Sequence, residues 1–247
     1  MSILAVVPAR YASTRFPGKP LAMIEGKPMI QRVYESALRC RAFSKVIVAT
    51  DDERIFQAVQ AFGGEVEMTR LEHQTGTDRI AEVAQRHPDY EVVANIQGDL
   101  PFVTLEALEK LVEPYLRHEQ PDMTTVAAPL DLLTGYRNEH TVKVVCNQKH
   151  YAMYFSRAPI PFFRHAVPHV PVYQHIGLYA FRRDFLFLYA TLPPSPLEQA
   201  ESLEQLRALE HGYSIQVGII STPILEINTP DDLTKVQRLV ASGALLL

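Results

Sequence analysis

Short runs of aliphatic residues alternate with longer amphipathic stretches along the first half of the chain. Such runs predict strands buried on both faces of a parallel sheet, and the stretches between them predict helices. The predicted pairs of strand and helix are 3–7 with 28–40, 46–50 with 52–62, and 66–69 with 77–87. An alternating series favours a mostly parallel sheet with right-handed crossovers. We therefore expect an α/β fold, Rossmann-like, with helices on both faces of a central sheet.

The regular alternation ends in the second half. The predicted elements there are strand 92–96, helix 105–118, strands 123–128, 141–146 and 175–182, and helix 196–210. In the strand 141–146, alternation places Lys143 on one face with Thr141 and Val145. Prolines and aromatic residues are concentrated in 151–183, which predicts a small inserted β-rich lobe rather than a separate domain. At 247 residues, we expect a single domain over 1–247.

Cap residues refine the predicted helix ends. Pro28 suits the first helical position, and Asp51 can cap the following helix. Thr77 can cap the third helix. Thr229 with Pro230 is a typical start for the last helix.

Composition excludes several classes of protein. The chain is 47% hydrophobic and 21% charged, with a net charge of −4, which is typical of globular proteins and unlike a protein that coats nucleic acid. It has no pattern of a signal peptide and no apolar run long enough to cross a membrane. We therefore expect a cytoplasmic protein. Two cysteines do not support a disulfide framework or a zinc site.

The loop after the first strand carries three cations. Arg10, Arg15 and Lys19 follow the strand's carboxyl end, where ligands bind in open α/β sheets. Small Ala12, Ser13 and Gly18 allow close approach of the backbone. With no acidic residue inside the loop, these cations repel one another unless an anion is present. The loop matches neither the P-loop motif nor the glycine-rich motif of dinucleotide-binding proteins. The alternative is a solvated basic loop. The position of the loop at the carboxyl end of the first strand favours a polyphosphate site.

Acidic residues are candidates for a metal site. Asp99 follows strand 92–96 and could offer oxygen to Mg²⁺ beside a triphosphate, although Gly98-Asp99 is also a common turn. Asn228, Asp231 and Asp232 could supply a second contact, or could simply start the last helix.

Two further groups of polar residues are candidate binding residues. Thr75, Gly76 and Arg79 belong to a segment at a helix N-terminus, which could approach a base or ribose. The rest suit a hydroxylated, carboxylated sugar, although such residues are as often structural or interfacial; they are Arg157, Arg164, His175, Tyr179, Glu201 and Gln205.

A series of motifs makes the chain similar to a known family. The motifs occupy 8–21, 26–30, 49–52, 73–79, 97–99, 154–157, 175–179 and 203–207. Together and in this order they closely resemble the 3-deoxy-manno-octulosonate cytidylyltransferase (CMP-Kdo synthetase) family over nearly the whole chain.

The resemblance implies a dimeric nucleotidyltransferase that makes CMP-Kdo and pyrophosphate from CTP and Kdo for lipopolysaccharide synthesis, with Mg²⁺ as cofactor. The implied catalytic residues are Arg10, Lys19 and Asp99. The implied nucleotide-binding residues are Ala9, Arg10, Ser13, Arg15, Lys19, Thr75, Gly76, Arg79 and Gln97. The implied sugar-binding residues are Gln97, Arg157, Arg164, His175, Tyr179, Glu201 and Gln205. The implied metal ligands are Asp99 and Asn228.

Two positions depart from the family pattern. Leu100 stands where the family commonly has Glu, and Asn228 stands where it commonly has Asp. Asn offers a carbonyl oxygen without charge, so we expect either weaker Mg²⁺ binding or a variant sugar such as 8-amino-Kdo. The rival functions are another sugar nucleotidyltransferase or glycosyltransferase, and a non-catalytic nucleotide-sensing protein.

Overall fold

The computed structural model describes residues 1–13, 15–165 and 170–243, so positions 166–169 of the predicted lobe lie outside the described residues. The strands of this part are β1 (Ile3–Ala9), β2 (Met23–Ile24), β3 (Lys27–Pro28), β4 (Lys45–Thr50), β5 (Val66–Met68), β6 (Val92–Asn95), β7 (Met123–Pro129), β8 (Lys143–Cys146), β9 (Ala152–Ser156), β10 (Tyr173–Arg182) and β11 (Ile215–Ile219). The helices are α1 (Met29–Arg39), α2 (Glu53–Ala61), α3 (Gly76–Arg86), α4 (Leu105–Leu116), α5 (Arg183–Thr191), α6 (Pro196–Glu201), α7 (Leu206–Glu210) and α8 (Pro230–Ala241).

The chain forms two compact units. The first contains Met1–Leu108 and the described residues from Ile224 onward, and the second contains Glu109–Pro223. Both combine strands with helices, so the α/β class is confirmed. The single domain over 1–247, with a lobe at 151–183, stays a prediction.

A parallel sheet forms the centre of the first unit, with strand order β6-β1-β4-β5. Leu4 of β1 is opposite Lys45 of β4, and Ile3 of β1 is opposite Val92 of β6. The aliphatic residues Ile3–Val7 have no exposed surface, as expected for a strand between parallel neighbours. The prediction of a doubly buried first strand is confirmed.

Two glycines bring separate segments against the carboxyl end of β1. A Cβ on Gly98 would lie 3.1 Å from the Pro8 carbonyl oxygen, which is tighter than nine in ten real Cβ contacts. A Cβ on Gly76 would lie 3.4 Å from Pro8 Cγ. The turn at 97–99 and the start of α3 therefore pack closely on the same strand end.

The C-terminal segment completes a small core in the first unit. Ile24 of the β2–β3 hairpin and Met29 of α1 form a buried cluster with Ile227 and Val236, and Phe16 of the cationic loop packs against it. The helix α8 within this cluster begins as expected, with Thr229 as its cap and Pro230 in its first turn.

The second unit contains the antiparallel part of the fold. Here β7 pairs in parallel with β11 and antiparallel with β10, while β8 pairs antiparallel with both β10 and β9. The strands of 151–183, β9 and β10, are therefore members of this sheet. The register of β10 against β7 shifts between Ile176 and Tyr179, which marks a β-bulge.

Three predicted helix starts need correction by one or two residues. Pro28 has extended backbone and precedes α1 rather than beginning it. Asp52, not Asp51, caps α2, because its side chain accepts from the Arg54 N–H. Thr75, not Thr77, caps α3, through a capping box with Asp78.

The predicted helix 196–210 is divided in the structure. Ser202, with φ of 52°, ends α6 in the left-handed region, and a continuous helix cannot pass through that conformation. The sequence pattern also missed β9, β11 and α5. No helix among the described residues is long and apolar enough to span a membrane.

Loss of the buried ion pair of the first unit should destabilise it. Arg79 is fully buried and its Nη2 lies 2.6 Å from Asp51 Oδ2, so Arg79→Met leaves a largely buried carboxylate without its partner. We expect the free energy of unfolding to fall by about 3–5 kcal/mol, measured by urea titration. Lys45→Met removes a more exposed pair, with Glu65, and should lower it by about 1 kcal/mol or less. Equal losses in the two variants would contradict this interpretation.

Candidate functional site

An open cleft of about 400 Å³ lies in the first unit, at the carboxyl end of β1. Its walls come from the cationic loop and from the turn after β6. The lining residues are Pro8, Ala9, Arg10, Ala12, Ser13, Arg15, Lys19, Pro20, Gln97, Gly98 and Asp99. The structure thus brings all three loop cations to one cleft, together with the candidate metal ligand.

Lys19 and Asp99 form an ion pair inside this cleft. Lys19 Nζ lies 2.7 Å from Asp99 Oδ2, and the two side chains keep 15% and 27% of their surface exposed. The loop itself contains no acidic residue, but the fold supplies one from elsewhere in the chain. Asp99 lies 80 residues further along the chain, yet the parallel sheet brings it to the same edge.

The cationic loop folds back on itself around Tyr11. Gly18 N donates to the Tyr11 carbonyl at 2.9 Å, and Gly18 has φ of 71°, which favours glycine. A Cβ at this position would lie 3.1 Å from the Tyr11 ring. The Arg54 guanidinium stacks 3.2 Å from the centre of that ring and is itself held by Asp52. This cation–π contact supports the loop from outside the cleft.

The two exposed arginines of the loop are anchored to other segments. Arg10 Nη1 donates to the carbonyls of Gln74 and His73, at 3.1 and 3.4 Å. Arg15 Nη2 donates to Asn228 Oδ1 at 3.4 Å. Each guanidinium has five N–H groups, so donors remain on both for an anion.

The predicted nucleotide-binding residues Thr75 and Arg79 of the α3 segment make hydrogen bonds within the protein, as does Gln97 after β6. Thr75 accepts from Asp78 N at 3.0 Å, so its hydroxyl serves as the helix cap, with Gly76 next to it. Arg79 is fully buried and bonded to Asp51 and Thr69. It therefore braces the segment before α3, and a direct contact with a nucleotide stays a prediction. Gln97 Nε2 donates to Asn95 Oδ1 at 3.3 Å.

The segment 226–228 lies next to the Asp99 turn and carries side-chain oxygen atoms suited to a hard cation. Ile227 N donates to the Asp99 carbonyl at 3.2 Å, which places Asn228 and Glu226 next to this turn. Asn228 Nδ2 donates to Glu226 Oε2 at 3.2 Å. Carboxylate and amide oxygens are the donors that Mg²⁺ prefers, so the residues present fit this ion. Asp232 is committed elsewhere, since its carboxylate accepts from Thr229 N and completes the helix cap.

Glu226 was not among the site residues predicted from the sequence. Desolvation of its carboxyl group and the neighbouring Asp99 carboxylate raise the pKa of Glu226, whereas Asn228, Lys19 and Arg15 oppose the shift. Its spacing from Asn228 was the available signal, because alternate residues of an extended segment share a side.

His175 and Tyr179 meet in the second unit because β10 is bulged. Their ring centres are 5.6 Å apart. In a regular strand, the Cα atoms of two residues four positions apart are separated by about 13 Å. Thr125 Oγ1 donates to the Leu178 carbonyl at 2.7 Å and lies 3.0 Å from His175 Nε2. Because a hydroxyl has one proton and the Leu178 carbonyl can only accept, we assign Nε2 of His175 as the donor to Thr125 and Nδ1 as an acceptor.

The side chain of Gln205 joins this pair. Tyr179 Oη donates to Gln205 Oε1 at 3.1 Å. Gln205 keeps only 3% of its surface exposed, and its Nε2 has no hydrogen-bond partner among the described residues. This buried amide nitrogen therefore has two N–H groups without acceptors among the described residues.

Arg157 and Glu201 form a second linked pair in this unit. Arg157 N donates to Glu201 Oε2 at 2.9 Å, and Arg157 Nε donates to the Glu201 carbonyl at 2.8 Å. Ser156 Oγ donates to Glu201 Oε1 at 2.6 Å, so the Glu201 carboxylate is engaged in holding the end of β9. Arg164, predicted to bind the same ligand, is exposed.

Comparison with known proteins defines the class. A family model described as cytidylyltransferase matches residues 4–215. A cytidylyltransferase from Leptospira borgpetersenii serovar Hardjo-bovis shares the fold, with a TM-score of 0.63 at 14% identity over 100% of this chain and 89% of that one. The chain belongs to the cytidylyltransferase family.

Closer relatives carry a more particular name. The 3-deoxy-manno-octulosonate cytidylyltransferase of Acaryochloris marina is 55% identical over 98% of this chain and 99% of its own, and that of Synechococcus elongatus is 52% identical over 94% and 96%. A solved CMP:2-keto-3-deoxy-manno-octonic acid synthetase complexed with CTP has a TM-score of 0.93 at 43% identity, covering 98% of this chain and 100% of that chain. The resemblance inferred from the motifs is confirmed.

Burial of His175 should make stability depend on pH. Burial lowers the pKa of His175 to about 3, whereas an unfolded histidine titrates near about 6.5. Between these values the unfolded chain binds one proton more, so the free energy of unfolding falls as the pH drops below about 6.5, by about 1.4 kcal/mol per pH unit from this group.

The variant His175→Gln should lose this contribution, measured by urea unfolding at neutral pH and near pH 5. His211→Gln, at an exposed position, serves as the control and should retain the wild-type dependence. The same slope in His175→Gln as in the wild type would contradict the prediction.

Proposed function

We propose that this chain transfers CMP from CTP to the anomeric hydroxyl of Kdo, giving CMP-Kdo and pyrophosphate for lipopolysaccharide biosynthesis. The observation that carries the proposal is the cleft at the end of β1, with three cations and the Asp99 carboxylate on its walls. The name shared by relatives at 52–55% identity supports the two substrates.

In this reaction the anomeric oxygen attacks the α-phosphorus of CTP in line. A new oxygen–phosphorus bond forms, the bond to the bridging oxygen of pyrophosphate breaks, and the hydroxyl proton is released. Such transfers depend mainly on positioning and on neutralisation of charge. The chain offers the exposed guanidiniums of Arg10 and Arg15 for the phosphate oxygens, since arginine binds them through paired N–H groups.

Lys19 and Asp99 would bind different groups in the reaction, the triphosphate and Mg²⁺. Lys19 Nζ binds Asp99 in the structure, and it would turn to the triphosphate when the nucleotide enters. Asp99 would then hold Mg²⁺, with the Asn228 carbonyl as a second donor. When bound, the ion would add positive charge beside the transferred phosphate.

The proposed site would take few ligands from the protein. Among the described residues, no group of three His, Cys, Asp or Glu side chains is arranged to hold a metal ion. Mg²⁺ commonly takes one or two carboxylates and completes its shell with phosphate oxygens and water.

Residues of the second unit would recognise the sugar acid. The Nε2 donors of Gln205 and the Nδ1 acceptor of His175 suit hydroxyl groups, and the guanidinium of Arg157 suits the carboxylate. Tyr179, Glu201 and Arg164 complete the proposed set in this unit. Gln97 belongs to the first unit, and its part in sugar binding stays a prediction. From the motif resemblance alone, we further infer a homodimer that works in the cytoplasm.

Pyrophosphate release from CTP, Mg²⁺ and Kdo tests the function directly. Release should require all three, and CTP binding without any release for a panel of sugar acids would favour a non-catalytic sensor. The second candidate substrate is 8-amino-Kdo, favoured by Asn228 at the position where the family commonly has Asp. A higher kcat/KM for 8-amino-Kdo than for Kdo would select it.

Removal of the Lys19 ammonium should sharply reduce turnover. We expect kcat of Lys19→Ala to fall by about 10² to 10³, by analogy with the loss of one preorganised donor to a transition state. Lys27→Ala is the matched control, because Lys27 pairs with Glu35 and does not line the cleft. Wild-type turnover in a folded Lys19→Ala enzyme would remove the loop from the mechanism.

Neutralisation of Asp99 should weaken the metal site. Asp99→Asn keeps the shape of the side chain but removes the charge, so we expect a higher Mg²⁺ concentration for half-maximal activity. Weaker Mn²⁺ binding, measured by electron paramagnetic resonance with CTP present, provides a readout independent of activity. Asp89→Asn, at an exposed carboxylate outside the cleft, should match the wild type. An unchanged Mn²⁺ titration for Asp99→Asn would exclude Asp99 as a ligand.

A further inference from the structure

Lys143 of β8 is a lysine with no exposed surface. Its Nζ donates to three main-chain carbonyls, those of Thr141 at 2.6 Å, Asn138 at 2.9 Å and Arg157. An ammonium has three N–H groups, so each has an acceptor. Burial of a charged group is unfavourable unless its donors are paired. The proposed mechanism assigns no role to Lys143. The groups that its ammonium binds indicate a positioning role.

The first partner of interest is the main chain of Arg157. Lys143 holds the Arg157 carbonyl, while the Arg157 N–H donates to Glu201 Oε2 at 2.9 Å. The same carboxylate accepts from Ser156 Oγ at 2.6 Å. The backbone on both sides of the Arg157 side chain is therefore fixed, by an ammonium on one side and a carboxylate on the other.

The second connection runs through the loop before β8. Arg157 Nη1 donates to the Glu139 carbonyl at 3.0 Å, and Glu139 lies between Asn138 and Thr141, whose carbonyls Lys143 holds. Lys143 thus ties down both the backbone of Arg157 and the loop that receives one edge of its guanidinium.

The guanidinium itself is only partly used by the protein. Arg157 Nε donates to the Glu201 carbonyl at 2.8 Å and Nη2 to the Ser202 carbonyl at 3.4 Å, besides the bond to Glu139. A guanidinium has five N–H groups, and three of them are used in these bonds. One N–H group therefore remains on Nη1 and one on Nη2. A guanidinium that is held while two donors remain is prepared for a carboxylate.

We propose that Lys143 is a positioning residue that holds the Arg157 guanidinium in place for the carboxylate of the sugar acid. It acts through the main chain of Arg157 and through loop 138–141, and it does not touch the substrate. The inference rests on the proposed function, in which Arg157 binds the sugar acid.

The test is Lys143→Met, which keeps the length of the side chain and removes the ammonium. We expect kcat/KM for Kdo to fall by on the order of 10- to 100-fold, mainly through KM, because a small misplacement of a binding group has effects of this size. KM for CTP should stay within about twofold of the wild type, since CTP is assigned to the first unit. Lys110→Met is the matched control, because Lys110 belongs to the same unit and pairs only with Glu113 among the described residues.

A double-mutant cycle separates positioning from a general loss of stability. In the Arg157→Ala background, Lys143→Met should change KM for Kdo little further, because both changes act on one contact. Full multiplication of the two effects, or an equal rise of KM for Kdo and CTP, would overturn the proposal. Should Lys143→Met fail to fold, Lys143→Gln keeps two N–H donors and should show the same selective rise of KM for Kdo at smaller size; an unchanged KM would overturn the proposal.

The variant Arg157→Ala alone distinguishes the two levels of inference. If it leaves KM for Kdo unchanged, the assignment of Arg157 to the sugar acid fails, and the role of Lys143 fails with it. If Arg157→Ala raises KM while a folded Lys143→Met does not, only the positioning role is overturned.

Discussion

The burial of β1 between two parallel neighbours is the constraint on which the cleft at the carboxyl end of β1 depends. Because β4 and β6 run in the same direction as β1, the chain leaves all three strands at one edge. The cationic loop, the capped start of α2 and the turn at 97–99 are therefore neighbours although they are far apart in sequence. Gly98 packs closely on Pro8, so the turn at 97–99 lies against the end of β1. Asp99 can therefore form an ion pair with Lys19.

Patterns that are local in sequence predicted much of this unit. The aliphatic run of β1, the cations after it and the acid after β6 follow from residues that lie next to one another, and the sheet alone places them at one edge. The partner of each side chain could not be predicted in the same way. The pairs Lys19–Asp99 and Asp51–Arg79 join residues 80 and 28 positions apart, and their geometry depends on the packed fold.

The second unit was harder to predict, for reasons visible in individual residues. Alternation assigned Lys143 to one face of a strand but gave no sign that its side chain would be enclosed, since burial of the ammonium depends on three carbonyls from two segments, loop 138–141 and the residue after β9. Ser202 carries no sequence signal for the left-handed conformation that divides α6 from α7. The bulge in β10 likewise decides that His175 and Tyr179 meet, and only Gly177 between them hinted at an irregular strand.

The first unit is discontinuous in sequence, and this affects the order in which the molecule can be completed during synthesis. Phe16 of the cationic loop packs on a cluster that includes Ile227 and Val236, and Asn228 binds Arg15. Residues 109–223 leave the ribosome before these partners do. On a growing chain, the second unit can therefore close while the cationic loop still lacks the C-terminal residues that it packs against. The first unit begins to leave the ribosome before the second, but it can complete its core only after the second unit has been synthesised.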